Sequence, residues 1–371
     1  MVSRRNLFYF FGLTLVFWTL GPTLVWVIDP YHLFHETRWN RNLHATGHGS
    51  VYYIGSIGRH FEQSNHHDTL ILGSSHTASF KNEDVNKALH AKGSVMLCLG
   101  GAQACPLVFL AKKSLKTGNV HNVLWGIDAF AFLDKQSLAP INELYFRYPL
   151  LTCFNWQILF KIFSRFVELL YLDGDQASGY LPYDFTIKNV VRNRDNACRD
   201  WVRAENLVKM RYLSPNFSTF TLAENDLLSA TNDLLYLVRK YPKVNFYLPV
   251  APVSWLWCHY YNAIPHPIFL QATFHLWRHL ITACADLPNV KIYGWHDCAF
   301  VSNLANYYDE SHYHPDINRY IAWCIEHDKH RLTKENYDAY EARCVENLRA
   351  FKILDSYPHR DTFDELVAGE H

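Results

Sequence analysis

No charged residue interrupts the stretch from Leu7 to Ile28, which follows Arg4 and Arg5 and ends at Asp29-Pro30. A helix of about 20 apolar residues crosses a hydrocarbon core about 30 Å thick, so this block predicts one transmembrane helix. The two arginines place its N-terminus in the cytoplasm by the positive-inside rule. Trp26 suits an interface anchor, as does Trp18, although Trp18 falls near the middle of the run. A cleaved signal peptide carries a shorter apolar region and a small-x-small site, and none precedes Asp29-Pro30. An uncleaved anchor is therefore expected, with the rest of the chain outside the cytoplasm.

Beyond the anchor, residues 29–68 are polar and rich in His, Gly, Tyr and Asn, which reads as a membrane-proximal connector. Short apolar runs then alternate with helical patterns. Strands are expected at Thr69 to Gly73, Ser94 to Leu99, Asn122 to Ile127, Val244 to Val250 and Val290 to Tyr293. Helices are expected at Asn82 to His90, with Asn82 as cap, and at Pro106 to Lys116, with Gly118 near the stop. Thr221-Leu222-Ala223-Glu224 matches a capping box, followed by Leu227, Leu228, Ala230, Leu234, Leu235 and Val238 at helical spacing. Further helices are expected at Ile268 to Ala285 and Pro315 to Glu326. Residues 129–220 break the alternation and read as an insertion or lid; residues 331–371 read as an amphipathic helix and a polar tail. The series predicts an α/β domain over residues 69–330 with a doubly wound, mostly parallel five-stranded sheet.

Charge narrows the function. The 35 basic and 35 acidic residues balance, and no basic stripe stands out, which argues against nucleic acid as a partner. Aromatic residues make up 16 % of the chain, a share that suits carbohydrate stacking but is explained more simply by a large core. The nine cysteines are scattered singly without Cys-x-x-Cys, so zinc-ribbon and thioredoxin spacings are excluded; they read as buried thiols, with room for one or two disulfides in an oxidising compartment.

The chemistry concentrates at two places. The apolar run Leu70-Ile71-Leu72 ends in Gly73-Ser74-Ser75-His76, and open α/β sheets place their chemistry at the carboxyl ends of strands. Far downstream, Asp309-Glu310-Ser311-His312 offers a base and a carboxylate. A serine hydroxyl is a poor nucleophile until a base takes its proton, and a carboxylate is needed to hold that base in the right tautomer. Serines at a strand end also cap helices, which is the competing reading of Ser74 and Ser75. Asp309, His312 and His314 form a ligand-like set as well, but with 21 histidines chance clusters are expected and further ligands are lacking, so no metal is expected. His76 reads as a partly buried strand-end residue beside the site. Gly-x-Ser-x-Gly, Walker A and Gly-x-Gly-x-x-Gly sequences are absent, which disfavours an α/β-hydrolase elbow and nucleotide binding. No cofactor is expected.

Gly73-Ser74-Ser75 after the first strand, the glycines after the second, and the late Asp309-x-x-His312 pair resemble the SGNH (GDSL-like) hydrolase superfamily over residues 69–328. The resemblance implies a flavodoxin-like sheet and a triad of Ser75 as nucleophile, His312 as base and Asp309 as orienting carboxylate, with Ser74 the rival nucleophile. It implies an oxyanion hole from the backbone N–H groups of Ser75 and of Gly100 or Gly101. Family members usually add an Asn side chain after the third strand; Trp125-Gly126-Ile127-Asp128 puts an Asp there, leaving Gln103 as another donor. With one N-terminal anchor, the chain is similar to bacterial polysaccharide-modifying members of alginate O-acetylation and lipoteichoic acid D-alanylation type. The Ile28-Asp29-Pro30-Tyr31 start beyond the membrane is also similar. The resemblance implies acyl transfer to a cell-surface glycan, or hydrolysis of its esters, with a membrane-bound O-acyltransferase as partner. The alternative is a catalytically silent scaffold of the same fold that binds a glycan or such a partner.

Overall fold

The computed structural model describes residues 4–28, 57–62, 66–99, 101, 103–133, 153–154, 224–262, 268–307, 311–352 and 359–370. The chain divides into two compact units, Met1–Ser64 with Ser137–Asp184, and Asn65–Gln136 with Phe185–His371. Most of the expected connector and nearly all of the 129–220 insertion lie outside the described residues.

In the first unit, helix α1 (Arg4–Ile28) carries a span, Phe8–Val27, long and apolar enough to cross a membrane. Its large side chains, among them Phe10, Phe11, Leu13 and Trp26, are exposed. Pro22 stands inside the helix and Thr19 Oγ1 donates to the Leu15 carbonyl at 2.9 Å, a local bond that satisfies the hydroxyl without water.

The second unit is an α/β layer structure. Strands β1 (Thr69–Gly73), β2 (Ser94–Cys98), β3 (Asn122–Trp125), β4 (Asn245–Pro249) and β5 (Val290–Tyr293) run parallel, and β6 (Arg331–Leu332) pairs antiparallel with β5. The sheet order is β2-β1-β3-β4-β5-β6. The expected count of five is thus corrected to six: a two-residue strand has too short an apolar period to register in a sequence, and it forms because Ile292 and Tyr293 offer it an edge. β1 is buried along its whole length, as strands covered on both faces are.

Helices α2 (Asn82–Ala88) and α3 (Ala104–Lys116) connect β1 to β2 and β2 to β3. The chain steps one way from β1 and then back across it to β3. Right-handed crossovers therefore put α2 and α3 on opposite faces. Accordingly, α2 packs on α8 (Pro315–Glu326), while α3 packs on α5 (Glu224–Lys240) and α5 on α7 (Ile268–Cys284). Asn82 is not the cap of α2: Lys81 holds that position, and Asn82 Nδ2 instead donates to the Ser94 carbonyl at the start of β2. Of the expected capping box at the start of α5, only Glu224 is among the described residues. Two further helices were not expected from the patterning, α4 (Ala129–Leu133) at the head of the 129–220 stretch and α6 (Trp255–Asn262). The expected helix of the tail is α9 (Tyr337–Ala350); a second helix, α10 (Phe363–Ala368), stands in the stretch read as polar, and Asp361 accepts from Asn306 Nδ2 at 2.7 Å. The cysteines among the described residues, all but Cys198, are free thiols, so no disulfide of the expected kind occurs there.

The edge carrying the carboxyl ends of β1 and β3 is drawn in tightly. A Cβ on Gly73 or on Gly126 would collide with Thr77, whose side chain fills the space between the two backbones. Overpacking of this kind costs about 1–3 kcal/mol. Gly126→Ala is expected to lower unfolding free energy by that amount in urea titrations, and Thr77→Ala to rescue it, because the obstructing hydroxyl leaves. Gly73→Ala should resist the same rescue, since its new methyl would still meet the Thr77 Cβ at 2.6 Å. Equal rescue of both glycine variants would contradict this account of the edge.

Candidate active site

Ser74 and Ser75 leave β1 in a strand–turn–helix. The Thr77 N–H donates to the Ser74 carbonyl and the Ala78 N–H to the Ser75 carbonyl, and a short 3-10 turn, Thr77–Ser79, follows. The two serines, adjacent in sequence, are used differently. Ser74 is fully buried and its Oγ accepts from the His76 backbone N–H at 3.2 Å, a local capping bond of the kind expected for a serine at a strand end. Ser75 is partly exposed, and its Oγ lies 2.7 Å from His312 Nε2. The contact unites two residues 237 positions apart.

His312 reaches Ser75 from a loop fixed at both ends. Tyr307 and Tyr313 form an antiparallel bridge, both are buried, and the Tyr307 hydroxyl donates to the Pro252 carbonyl at 2.7 Å. On the far side, the His314 N–H donates to the Asn306 carbonyl, and His314 Nδ1 caps α8 by accepting from the Asp316 N–H. Pro315 at the first helical position completes that start. With Arg360 against its Nε2, His314 is a structural cap rather than the ligand weighed for a metal. For His312 to accept the Ser75 proton at Nε2, the neutral ring must carry its own proton on Nδ1. Ser311 Oγ lies 3.3 Å from that Nδ1. Asp309, expected as the orienting carboxylate, lies outside the described residues.

Beneath this pair sits a second one that the sequence did not announce. Asp128, at the carboxyl end of β3, accepts from His76 Nδ1 at 2.6 Å, with side chains only 2 % and 3 % exposed. The His76 ring stacks on Tyr313 at 5.9 Å between centroids and lies 4.8 Å from the His312 ring. The pair therefore ties the ends of β1 and β3 to the loop that presents His312. Burial, and next the Asp128 carboxylate, push the phenol of Tyr313 well above its usual range; the same two causes push up the Cys98 thiol.

The expected oxyanion residues are placed unevenly. Gly101 has φ +63 and is exposed, and Gln103 is the N-cap residue of α3. Gly100 lies outside the described residues. Asp128 is not aimed at an oxyanion through its Oδ1, because that atom is taken by His76. Its position after β3 was legible, its partner was not: a pair 52 residues apart leaves no local spacing signal.

Asp128 also borders a cleft at the carboxyl ends of β3 and β4, walled by Val250, Val253, Phe274 and Trp257. Five buried polar atoms of its lining, Asp128 Oδ2, Trp255 Nε1, Trp277 Nε1, Thr273 Oγ1 and His296 Nδ1, have no hydrogen-bond partner among the described residues. Burial pushes His296 down to about 3, so it lines the cleft as a neutral ring. Buried polar atoms are normally satisfied, so this set marks the cleft as a place for water or a polar ligand. Scattered Trp, Thr and His gave no signal in the sequence, as they meet only through the fold.

Comparison with protein-family models, with curated proteins and with solved structures found no match.

The pair under the site generates a stability test. Asp128→Ala removes the acceptor of the His76 Nδ1–H bond and is expected to cost about 1–3 kcal/mol, as does the loss of a buried partner generally. His76→Phe should cost a similar amount, and the double variant less than the sum, with a coupling of at least about 1 kcal/mol in urea unfolding. Additive losses would show that the two side chains do not support one another.

Proposed function

We propose that the protein is a membrane-anchored serine acyltransferase or esterase of SGNH type, acting on O-acyl groups of a cell-surface glycan. The contact of 2.7 Å between Ser75 Oγ and His312 Nε2 carries this reading. It is the separation at which an imidazole takes a hydroxyl proton as the oxygen attacks. The strand order 2-1-3-4-5 supports it as well, since β1 and β3 flank the point where such a sheet reverses direction. The antiparallel β6 is an addition to that plan.

In the proposed reaction Ser75 Oγ attacks the acyl carbonyl while His312 Nε2 takes its proton. The tetrahedral oxyanion is met by the Ser75 backbone N–H and the Gly100–Gly101 segment. His312 then protonates the departing alcohol, leaving an acyl-serine. A sugar hydroxyl deprotonated by His312 completes transfer; water in its place completes hydrolysis. Asp309 and Ser311 are the groups assigned to the Nδ1 side of the ring. The cleft beside Asp128 is where we place the acyl group, its unpaired indole and hydroxyl donors facing the polar end of that group. Helix α1 anchors the chain in the plasma membrane with Arg4 and Arg5 inside, so the sheet unit works on the outer side. A membrane-bound O-acyltransferase is the partner suited to supply acyl groups there.

One observation favours a second reading, a silent scaffold of the same fold. Asp128 stands where an amide donor would serve an oxyanion, and its carboxylate is committed to His76.

A serine-directed fluorophosphonate probe separates the two. Labelling of the full chain in detergent is expected, abolished in Ser75→Ala and reduced by at least 100-fold, on the order of a general base's contribution, in His312→Ala. Ser74→Ala, which removes the bond to the His76 N–H and a long contact of 3.5 Å with His76 Nδ1 but does not touch Ser75 Oγ or His312, should retain it. A folded protein that takes no label would sink the enzyme reading and leave the scaffold. Release of acetate from a chromogenic ester, with and without added glycan, then distinguishes hydrolysis from transfer.

A further inference from the structure

A cluster of metal-binding side chains lies where β5 ends, apart from Ser75 and His312. Asp297 and Cys298 follow β5 in a tight turn closed by the Cys298 N–H on the Trp295 carbonyl at 2.9 Å. His330 stands in the turn that leads into β6, in the left-handed region with φ +57, and its carbonyl accepts from the Gly294 N–H. The β5–β6 pairing thus brings the two turns face to face. We propose that Cys298 Sγ, His330 Nδ1 and Asp297 Oδ1 bind a zinc ion.

The distances carry the proposal. Cys298 Sγ lies 3.7 Å from His330 Nδ1 and 3.8 Å from Asp297 Oδ1, and no two of the three ligand atoms are farther apart than 4.8 Å. Zinc bonds of about 2.3 Å to sulfur and about 2.0–2.1 Å to nitrogen or oxygen, at a tetrahedral angle, set S···N and S···O edges of about 3.5 Å. The cluster therefore needs to contract by only a few tenths of an ångström along both sulfur edges. Thiolate, imidazole and carboxylate together are a donor set suited to zinc, and their two negative charges match the ion's charge. Three protein ligands leave the fourth position to water.

Each ligand is also held from behind. His330 Nε2 lies 2.7 Å from Glu370 Oε1, leaving Nδ1 to face the sulfur. The Tyr320 hydroxyl donates to the same Glu370 oxygen at 2.6 Å, fixing the carboxylate. A carboxylate on the remote nitrogen is the arrangement that orients metal-binding histidines and raises their basicity. On the other side, Arg343 Nε and Nη2 donate to Asp297 Oδ2 at 3.0 and 2.8 Å, so Oδ1 is the oxygen turned to the sulfur. Asn347 Nδ2 donates to the Asp297 carbonyl at 3.0 Å and steadies the turn itself. The metal would join the end of β5, β6 and the chain's Glu370, and its part is to lock this edge of the sheet. An ordinary thiol hydrogen-bonded to a carboxylate is the rival explanation of the same contacts.

Cobalt(II) discriminates between them. The full chain in detergent, reduced and stripped with a chelator, is titrated with Co²⁺ and then with Zn²⁺. One equivalent should develop the intense near-ultraviolet thiolate-to-metal band and visible bands of a tetrahedral ion, and Zn²⁺ should abolish both. Cys298→Ser should remove the near-ultraviolet band, whereas Cys105→Ser, an exposed cysteine elsewhere, should keep it. Glu370→Gln is expected to retain the band with affinity weakened about 10–100-fold, the usual effect of losing an outer carboxylate. Native protein that shows no such band, or a band that survives Cys298→Ser, overturns the proposal; circular dichroism of each variant confirms that a lost band is not a lost fold.

Discussion

The hydrogen bond from His76 to Asp128 is the contact on which the candidate site depends. It joins the residue after Ser75 to the end of β3, and through its stacked ring it supports Tyr313 and stands beside His312. Both partners are almost fully buried, where leaving either one unmatched costs more than the bond itself contributes. The geometry above it depends on that bond. The turn after β1 and the Tyr307–Tyr313 bridge together bring Ser75 Oγ to 2.7 Å from His312 Nε2.

That bond is possible only because the sheet edge is compact. Gly73 and Gly126 admit the Thr77 side chain between β1 and β3, so the turn after β1 lies directly against the backbone that leads to Asp128. The sheet is also pinned at its other edge. Asn122 Nδ2 donates to Thr69 Oγ1 and Asn245 Nδ2 to Asn122 Oδ1, a polar clasp across β1, β3 and β4 at their starts. Register is therefore set at one end by amides and at the other by close packing. The candidate site occupies the end where the backbone turns away.

The sequence foretold what depends on local pattern. Buried parallel strands read as short apolar runs, and the five expected runs form β1 to β5 with ends within a residue or two. The exceptions have physical causes. β6 is too short for any period, α6 is a helix of aromatic residues without polar spacing, and Asn82, a good cap by type, is drawn to the Ser94 carbonyl instead. In the site, Ser75 and His312 were legible because the strand-end Gly-x-Ser and the late Asp-x-x-His are short strings that bear on one another chemically. His76 with Asp128, and Asp297 with Cys298 and His330, were not. Those sets close over separations that only the strand order brings together, and each residue has a bland local reading.

Two histidines side by side raise an electrostatic question that the buried aspartate answers. In the proposed reaction His312 takes the Ser75 proton and would become a cation with its ring 4.8 Å from that of His76. Were His76 charged and unopposed, repulsion at an effective dielectric of about 20 would come to about 3 kcal/mol, roughly a hundredfold in rate. The Asp128 carboxylate lies on the His76 ring at 2.6 Å, so any charge on that ring is matched at contact distance. With that carboxylate ionised, the pair as a whole carries no net positive charge beside His312. Asp128 is limited by the same electrostatics in where it can act. An anion facing a developing oxyanion would oppose it, and Asp128 Oδ1 is committed to His76 instead. In the proposed reaction, then, Asp128 serves the site by holding His76 rather than by binding the oxyanion.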